Sequence, residues 1–145
     1  MQEYEDELRK ILSKIAACEK YFGEFATPNK IQINTSKLPI IYVDLIGEKP
    51  SSNYELKLEF SLYIAHAAFS KNPKTREKNQ HEISELLLSI NKALFSTAIS
   101  DSQPCELKGS RKLIDSKIDS AYITIFQKNL EFTIPQNYIQ GVDID

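Results

Sequence analysis

Glycine is scarce in this 145-residue chain, and its four copies, Gly23, Gly47, Gly109 and Gly141, stand far apart. A phosphate-cradling loop and a dinucleotide fingerprint both need clustered glycines, so neither can be written here. Cysteine is scarcer still. Cys18 and Cys105 form no CxxC pair or other zinc spacing, and the ordinary reading of each is a buried free thiol. His66 and His81 are the only histidines, and neither has a second histidine at metal-ligand spacing. No serine lies in a GxSxG elbow, and neither cysteine has a nucleophile's context. The residues therefore predict no catalytic group, no cofactor site and no metal site.

Long hydrophobic runs are also missing. The longest, such as Leu38 to Val43, fall far short of the roughly 20 residues a membrane helix needs. The start, Met1 to Glu7, is acidic where a secretory signal is basic and then apolar, which predicts a protein made and kept in the cytoplasm. A formal net charge of −2 offers no general attraction to DNA or to anionic lipid. Exposed aromatics at fixed spacing and a recognition helix are likewise absent, so no specific nucleic acid is expected as a partner.

What is present is an ordinary globular composition, 41% hydrophobic and 26% charged, in a length suited to one domain with one core. The stretch from Tyr54 to Phe69 organises it. Tyr54, Leu56, Leu58, Phe60, Leu62 and Ile64 alternate with Glu55, Lys57, Glu59, Ser61 and Tyr63, the period of a strand with one buried face. Before it, residues 2 to about 22 read as an amphipathic helix on Tyr4, Leu8, Ile11, Leu12, Ile15 and Phe22, with Gly23 as its stop. A short edge strand is expected over Lys30 to Asn34, and a stronger strand over Leu38 to Ile46, with Pro39 at its beginning. Gly47 to Asn53 reads as an exposed connection that makes the two strong strands an antiparallel hairpin.

After Phe69, a polar loop through Lys78 leads into a second helix, whose buried face is Ile83, Leu86, Leu87, Ile90, Leu94 and Ala98 and which ends near Ile99. Cys105 to Ile118 reads as an irregular strand or β-arm bent at Gly109. The last strand, Tyr122 to Ile134, changes parity: Ile123 and Ile125 are odd, whereas Phe126, Leu130, Phe132 and Ile134 are even. Either a bulge near Phe126 to Asn129 keeps both sets on one face, or the two halves face different partners. Residues 136–145 read as a polar C-terminal tail. The fold class that results is α+β, a mixed or mainly antiparallel sheet packed against two amphipathic helices, as a single domain over 1–145.

Two basic clusters are the best candidates for contact with a polar partner: Lys71, Lys74, Arg76 and Lys78 in the loop, and Lys108, Arg111, Lys112 and Lys117 in the β-arm. Most such clusters are merely solvated surface. Pairing with acidic surface on another subunit is the favoured functional use.

The order of elements, with Leu38-Pro39-Ile40-Ile41-Tyr42-Val43, Phe60-Ser61-Leu62-Tyr63-Ile64, Leu86 to Leu94 and Tyr122-Ile123-Thr124-Ile125-Phe126 as anchors, resembles the Mu-like prophage minor-tail proteins. These in turn look like the tail-terminator or tail-completion proteins of long-tailed phages. The resemblance spans nearly the whole chain and rests on patterns of hydrophobicity. It implies a structural subunit that forms a homo-oligomeric ring on the last layer of the tail tube, stops its growth and meets the head-completion proteins. It carries over no catalytic residue, and it implies residence in the host bacterial cytoplasm during assembly and then in the virion tail. Another neck or tail-assembly adaptor of the same fold is the alternative, followed by a nucleic-acid-binding regulator.

Overall fold

A computed structural model describes residues 2–25, 31 and 35–135. Its elements are α1 (Gln2–Leu12), β1 (Ala17–Lys20), a short 3-10 turn (Thr35–Lys37), β2 (Ile40–Ser52), β3 (Glu55–Ala68), α2 (Pro73–Leu94), β4 (Glu106–Ile118) and β5 (Ala121–Pro135). They form a five-stranded sheet in the order β1-β2-β3-β5-β4. β1 runs parallel to β2, and the other three neighbouring pairs are antiparallel. The expected α+β class with a mixed sheet and two helices is thus the fold of the chain.

β3 is the centre of the sheet, and the even-numbered face that its alternation predicts is buried. Leu56, Leu58, Phe60, Leu62 and Ile64 are all buried, and they meet Leu8 and Leu12 of α1 and Ile83, Leu86, Ile90 and Leu94 of α2 in one core. Both helices therefore lie on the even-numbered face of β3. Tyr54, counted with that face by parity, instead sits in the turn before the strand and is 68% exposed. Alternation identifies a face only while the residue remains in the ladder.

The register of β5 resolves its change of parity. Fourteen consecutive pairs, from Glu55↔Pro135 to Ala68↔Tyr122, run without a shift, so no bulge lies between Phe126 and Asn129. Even residues of β5 face the helices. Ile123 and Ile125 face the other way and join Ile40, Tyr42, Ala65, Ala67 and Ala121 in a second core beneath Tyr21, Phe25 and Leu38. The chain has two apolar clusters on opposite faces of one sheet, where a single core was expected. Of the two readings open for this strand, different partners for its two halves is the one realised.

Four further boundaries differ from the sequence reading. The first helix stops at Leu12, because Ala17 to Lys20 pairs in parallel with Ile40 to Val43 and gains ladder hydrogen bonds that a longer helix would forgo. Phe22, assigned to the helix's apolar face, is 80% exposed, and Gly23, with φ of 82°, serves a turn after β1. Gly47 to Ser52 is strand, not connection, with register shifts at Leu45/Gly47 and Pro50/Ser52. Pro50 is tolerated because, among the described residues, β1 covers β2 only as far as Val43 and nothing pairs with its outer edge beyond. Finally, α2 begins at Pro73, with the Asn72 side chain accepting from the Lys74 N–H at 3.0 Å. The helix ends at Leu94, so Ala98 lies outside it, while Ile99 is buried in the turn that follows. The expected bend at Gly109 falls within the Leu107/Ser110 register shift of β4. The strand assigned to Lys30 to Asn34, apart from Ile31, and the tail 136–145 lie outside the described residues.

Leu58→Ala removes a fully buried side chain from the central strand and is expected to cost about 2–5 kcal/mol. Glu59→Gln, on the opposite and half-buried side, is expected to shift the urea midpoint far less. Equal shifts in equilibrium denaturation would contradict the assigned faces.

Candidate functional site

The two basic clusters are separated by sequence but meet on β5. Arg76, in the first turns of α2, places its guanidinium carbon 4.4 Å from the centre of the Tyr122 ring, and Lys117 Nζ of β4 approaches the same ring at 5.8 Å. Tyr122 pairs with Lys117 on one side and Ala68 on the other, so the ladder itself brings β4 beneath the start of α2. Two cations share one ring because its face is electron-rich, an interaction worth about 0.5–2 kcal/mol for each well-placed cation.

The other members divide by what they touch. Lys71 lies exposed before α2, while Lys74 and Lys78 are exposed within it, so the polar loop of the sequence reading is in fact largely helix. On β4, Lys112 pairs with Asp115 at 3.3 Å and lies 5.9 Å from the Phe126 ring centre. Thr124 donates to the other oxygen of Asp115 at 3.3 Å, so this carboxylate is engaged from two sides. Arg111 donates to Gln127 at 3.3 Å on the face away from the helices.

Lys108 belongs to a separate array on that same face. Glu131, whose side chain is only 12% exposed, lies 3.6 Å from Lys49, 3.8 Å from Lys57 and 3.7 Å from Lys108. Glu59 and Glu106 complete it, at 3.2 Å from Lys49 and 3.4 Å from Lys108. The array crosses β2, β3, β5 and β4 with opposite charges adjacent. Its members were visible in the sequence as alternate polar residues, but which carboxylate meets which lysine depends on register alone.

The histidines take ordinary roles. His66 Nδ1 accepts from the Ala67 N–H at 3.0 Å, and Nε2 meets Glu82 Oε2 of α2 at 2.8 Å. The Glu82 contact ties β3 to α2, while the Ala67 contact stays within β3. His81 is exposed, 3.8 Å from Glu85 one turn on. Cys18 and Cys105 are half-buried and free, and burial pushes each thiol from 9.0 up to about 12. Among the described residues no group of three or more His, Cys, Asp or Glu side chains is placed to hold a metal ion. No helix among them is long and apolar enough to cross a membrane.

No protein-family model matches the chain, and no curated protein matches it by sequence.

Two outcomes test this geometry. Arg76→Ala is expected to lower the melting temperature measurably, whereas Lys78→Ala leaves it unchanged; the reverse order would remove the Tyr122 contact from the account. The thiols are protonated to a higher pH when folded than when unfolded, so both resist iodoacetamide at pH 8 until denaturant is added. By the same linkage, their contribution to stability is present below about pH 9 and is lost as pH rises from there through about 12. Rapid alkylation of the native protein at pH 8 would contradict their burial.

Proposed function

We propose that this chain is a structural subunit of a phage-like tail, a terminator or completion protein that closes as a ring on the end of the tail tube and meets the head-completion proteins. The sequence resemblance supplies the hypothesis. The observation that supports it best is a sheet with two different open edges among the described residues. β4 pairs only with β5, and β2 beyond Val43 pairs only with β3.

A ring requires a head-to-tail contact between unlike surfaces that repeats with a closing rotation. Two unlike strand edges on one rigid sheet meet that requirement, and unpaired backbone groups are a common site of subunit pairing. β4 carries Lys108, Arg111, Lys112 and Lys117 against Glu106 and Asp115, so its approach to a partner is biased toward acidic surface. On this reading the chain acts by contact and not by catalysis. Its contact residues are the basic side chains not already committed within the subunit, Lys71, Lys74 and Lys78, with Lys112 and Lys117 reaching a partner only from contacts they already make to Asp115 and Tyr122.

The deciding experiment is electron microscopy of particles from an induced prophage lacking this gene. Over-long tubes and unjoined heads are expected. Tails of normal length, attached to heads, would refute termination. At the residue level, Lys71→Glu/Lys74→Glu/Lys78→Glu is expected to leave the melting temperature unchanged and to weaken docking to purified tail tubes in a salt-dependent way. Unaltered docking would remove this cluster from the contact.

A further inference from the structure

A second surface lies at the far end of α2. The last turns of the helix and the edge strand leave a shallow groove of about 580 Å³, lined by Leu88, Asn91 and Lys92 of α2, Phe95 at its C-cap, Leu107 and Lys108 of β4 and Lys128 of β5. Leu88 on α2 and Phe95 just past its end are 55% and 74% exposed. Apolar side chains at this exposure, aligned beside a free strand edge, form a surface with something still to bury.

The polar groups in the groove are unusual in being incompletely satisfied. Lys128 sits on the helix face of β5, only 4% exposed, opposite Leu62. Its ammonium donates to the Lys108 carbonyl at 2.8 Å, and no carboxylate among the described residues lies within ion-pair distance. Burial lowers its proton affinity. An ammonium has three donors, and a buried charge without a counter-charge is costly. Asn91, on the facing helix, holds a buried Oδ1 that accepts no hydrogen bond. Glu106 and Glu131, the carboxylates nearest along these strands, are engaged by lysines of the charge array on the opposite face.

We propose that this groove is a docking site for an acidic, apolar peptide segment of a partner protein. A carboxylate of the segment reaches the Lys128 ammonium, one of its backbone N–H groups donates to Asn91 Oδ1 once that buried oxygen turns outward, and a neighbouring apolar side chain covers Leu88, Phe95 and Leu107. Lys92 on the rim adds a further positive charge, and no carboxylate among the described residues lines the groove. A fatty acid would answer the lysine but not the asparagine, because it brings no N–H. The proposal stands independently of the ring reading, since it needs only the geometry of one subunit.

The probe is a fluorescein-labelled peptide with the sequence of residues 136–145, which places Asp143 and Asp145 beside Val142 and Ile144 and contains no lysine or arginine. It is titrated into the full chain and followed by anisotropy. Saturable binding is expected that weakens with added salt and falls at least ten-fold when both aspartates of the peptide are replaced by asparagine. Phe95→Ser, an exposed position that leaves the core untouched, and Lys128→Met are expected to weaken it to a similar degree. Absence of saturable binding at millimolar protein, both in the full chain and in the chain carrying Asp143→Asn and Asp145→Asn, would overturn the proposal. So would equal affinity for the acidic and amide peptides, or binding indifferent to Phe95→Ser, which stays informative even if Lys128→Met fails to fold. Decanoate binding to the groove while the peptide does not would likewise overturn it in favour of a small carboxylate.

Discussion

The unbroken antiparallel pairing of β3 with β5 is the constraint on which the rest of the subunit depends. Its register carries fourteen consecutive residue pairs with no shift, so the even-numbered residues of both strands stay on one face for the full length. A slip of one residue would put Phe132 and Leu130 on the opposite face from Leu58 and Phe60. Irregularity is confined to the pairs β2–β3 and β4–β5, where shifts occur near Gly47, Ser52, Gly109 and Leu113. Bulges there adjust the outer strands without disturbing the central face.

From that register follow two unlike surfaces. The helix side is a continuous apolar layer, sealed by α1 and α2 and pinned at its margins by polar contacts: Glu5 with Lys20 at 3.4 Å, His66 with Glu82, and the Tyr4 hydroxyl donating to Asp101. The opposite side is divided along the strands. One end holds the second apolar cluster under Tyr21 and Phe25, whose rings lie 4.7 Å and 5.5 Å from Tyr63. The other end holds the charge array around Glu131. Each exposed ion pair there contributes little by itself. Together they penalise other registers, because a shifted strand would set like charges opposite one another.

The basic residues acquire different meanings once placed. Arg76 and Lys117 are tied to Tyr122, and Lys108 to Glu106 and Glu131, so these positions serve the subunit before any partner. Lys71, Lys74 and Lys78 remain on the exposed side of the helix start. Lys128, hidden in the sequence among the polar residues of the last strand, is a buried cation with no acid within ion-pair distance among the described residues. Charge clusters in a sequence therefore mark candidates for contact, while burial and register decide which are already spent.

The sequence by itself determined the α+β class, the central strand and its buried face, the hairpin that joins β2 to β3, and the apolar stripe of α2. Each of these rests on local periodicity, which a strand or helix displays whatever it packs against. The start of α2 was also legible in Asn72-Pro73, a capping signal that the surrounding lysines obscured. Only the tertiary structure decided where α1 ends, because Ala17 to Lys20 becomes a strand through pairing with residues more than twenty positions away. It alone assigned Ile123 and Ile125 to a second core, joined Arg76 to Tyr122, and set Glu131 among three lysines. Those outcomes depend on which strands become neighbours and in what register, and no window of consecutive residues contains that information.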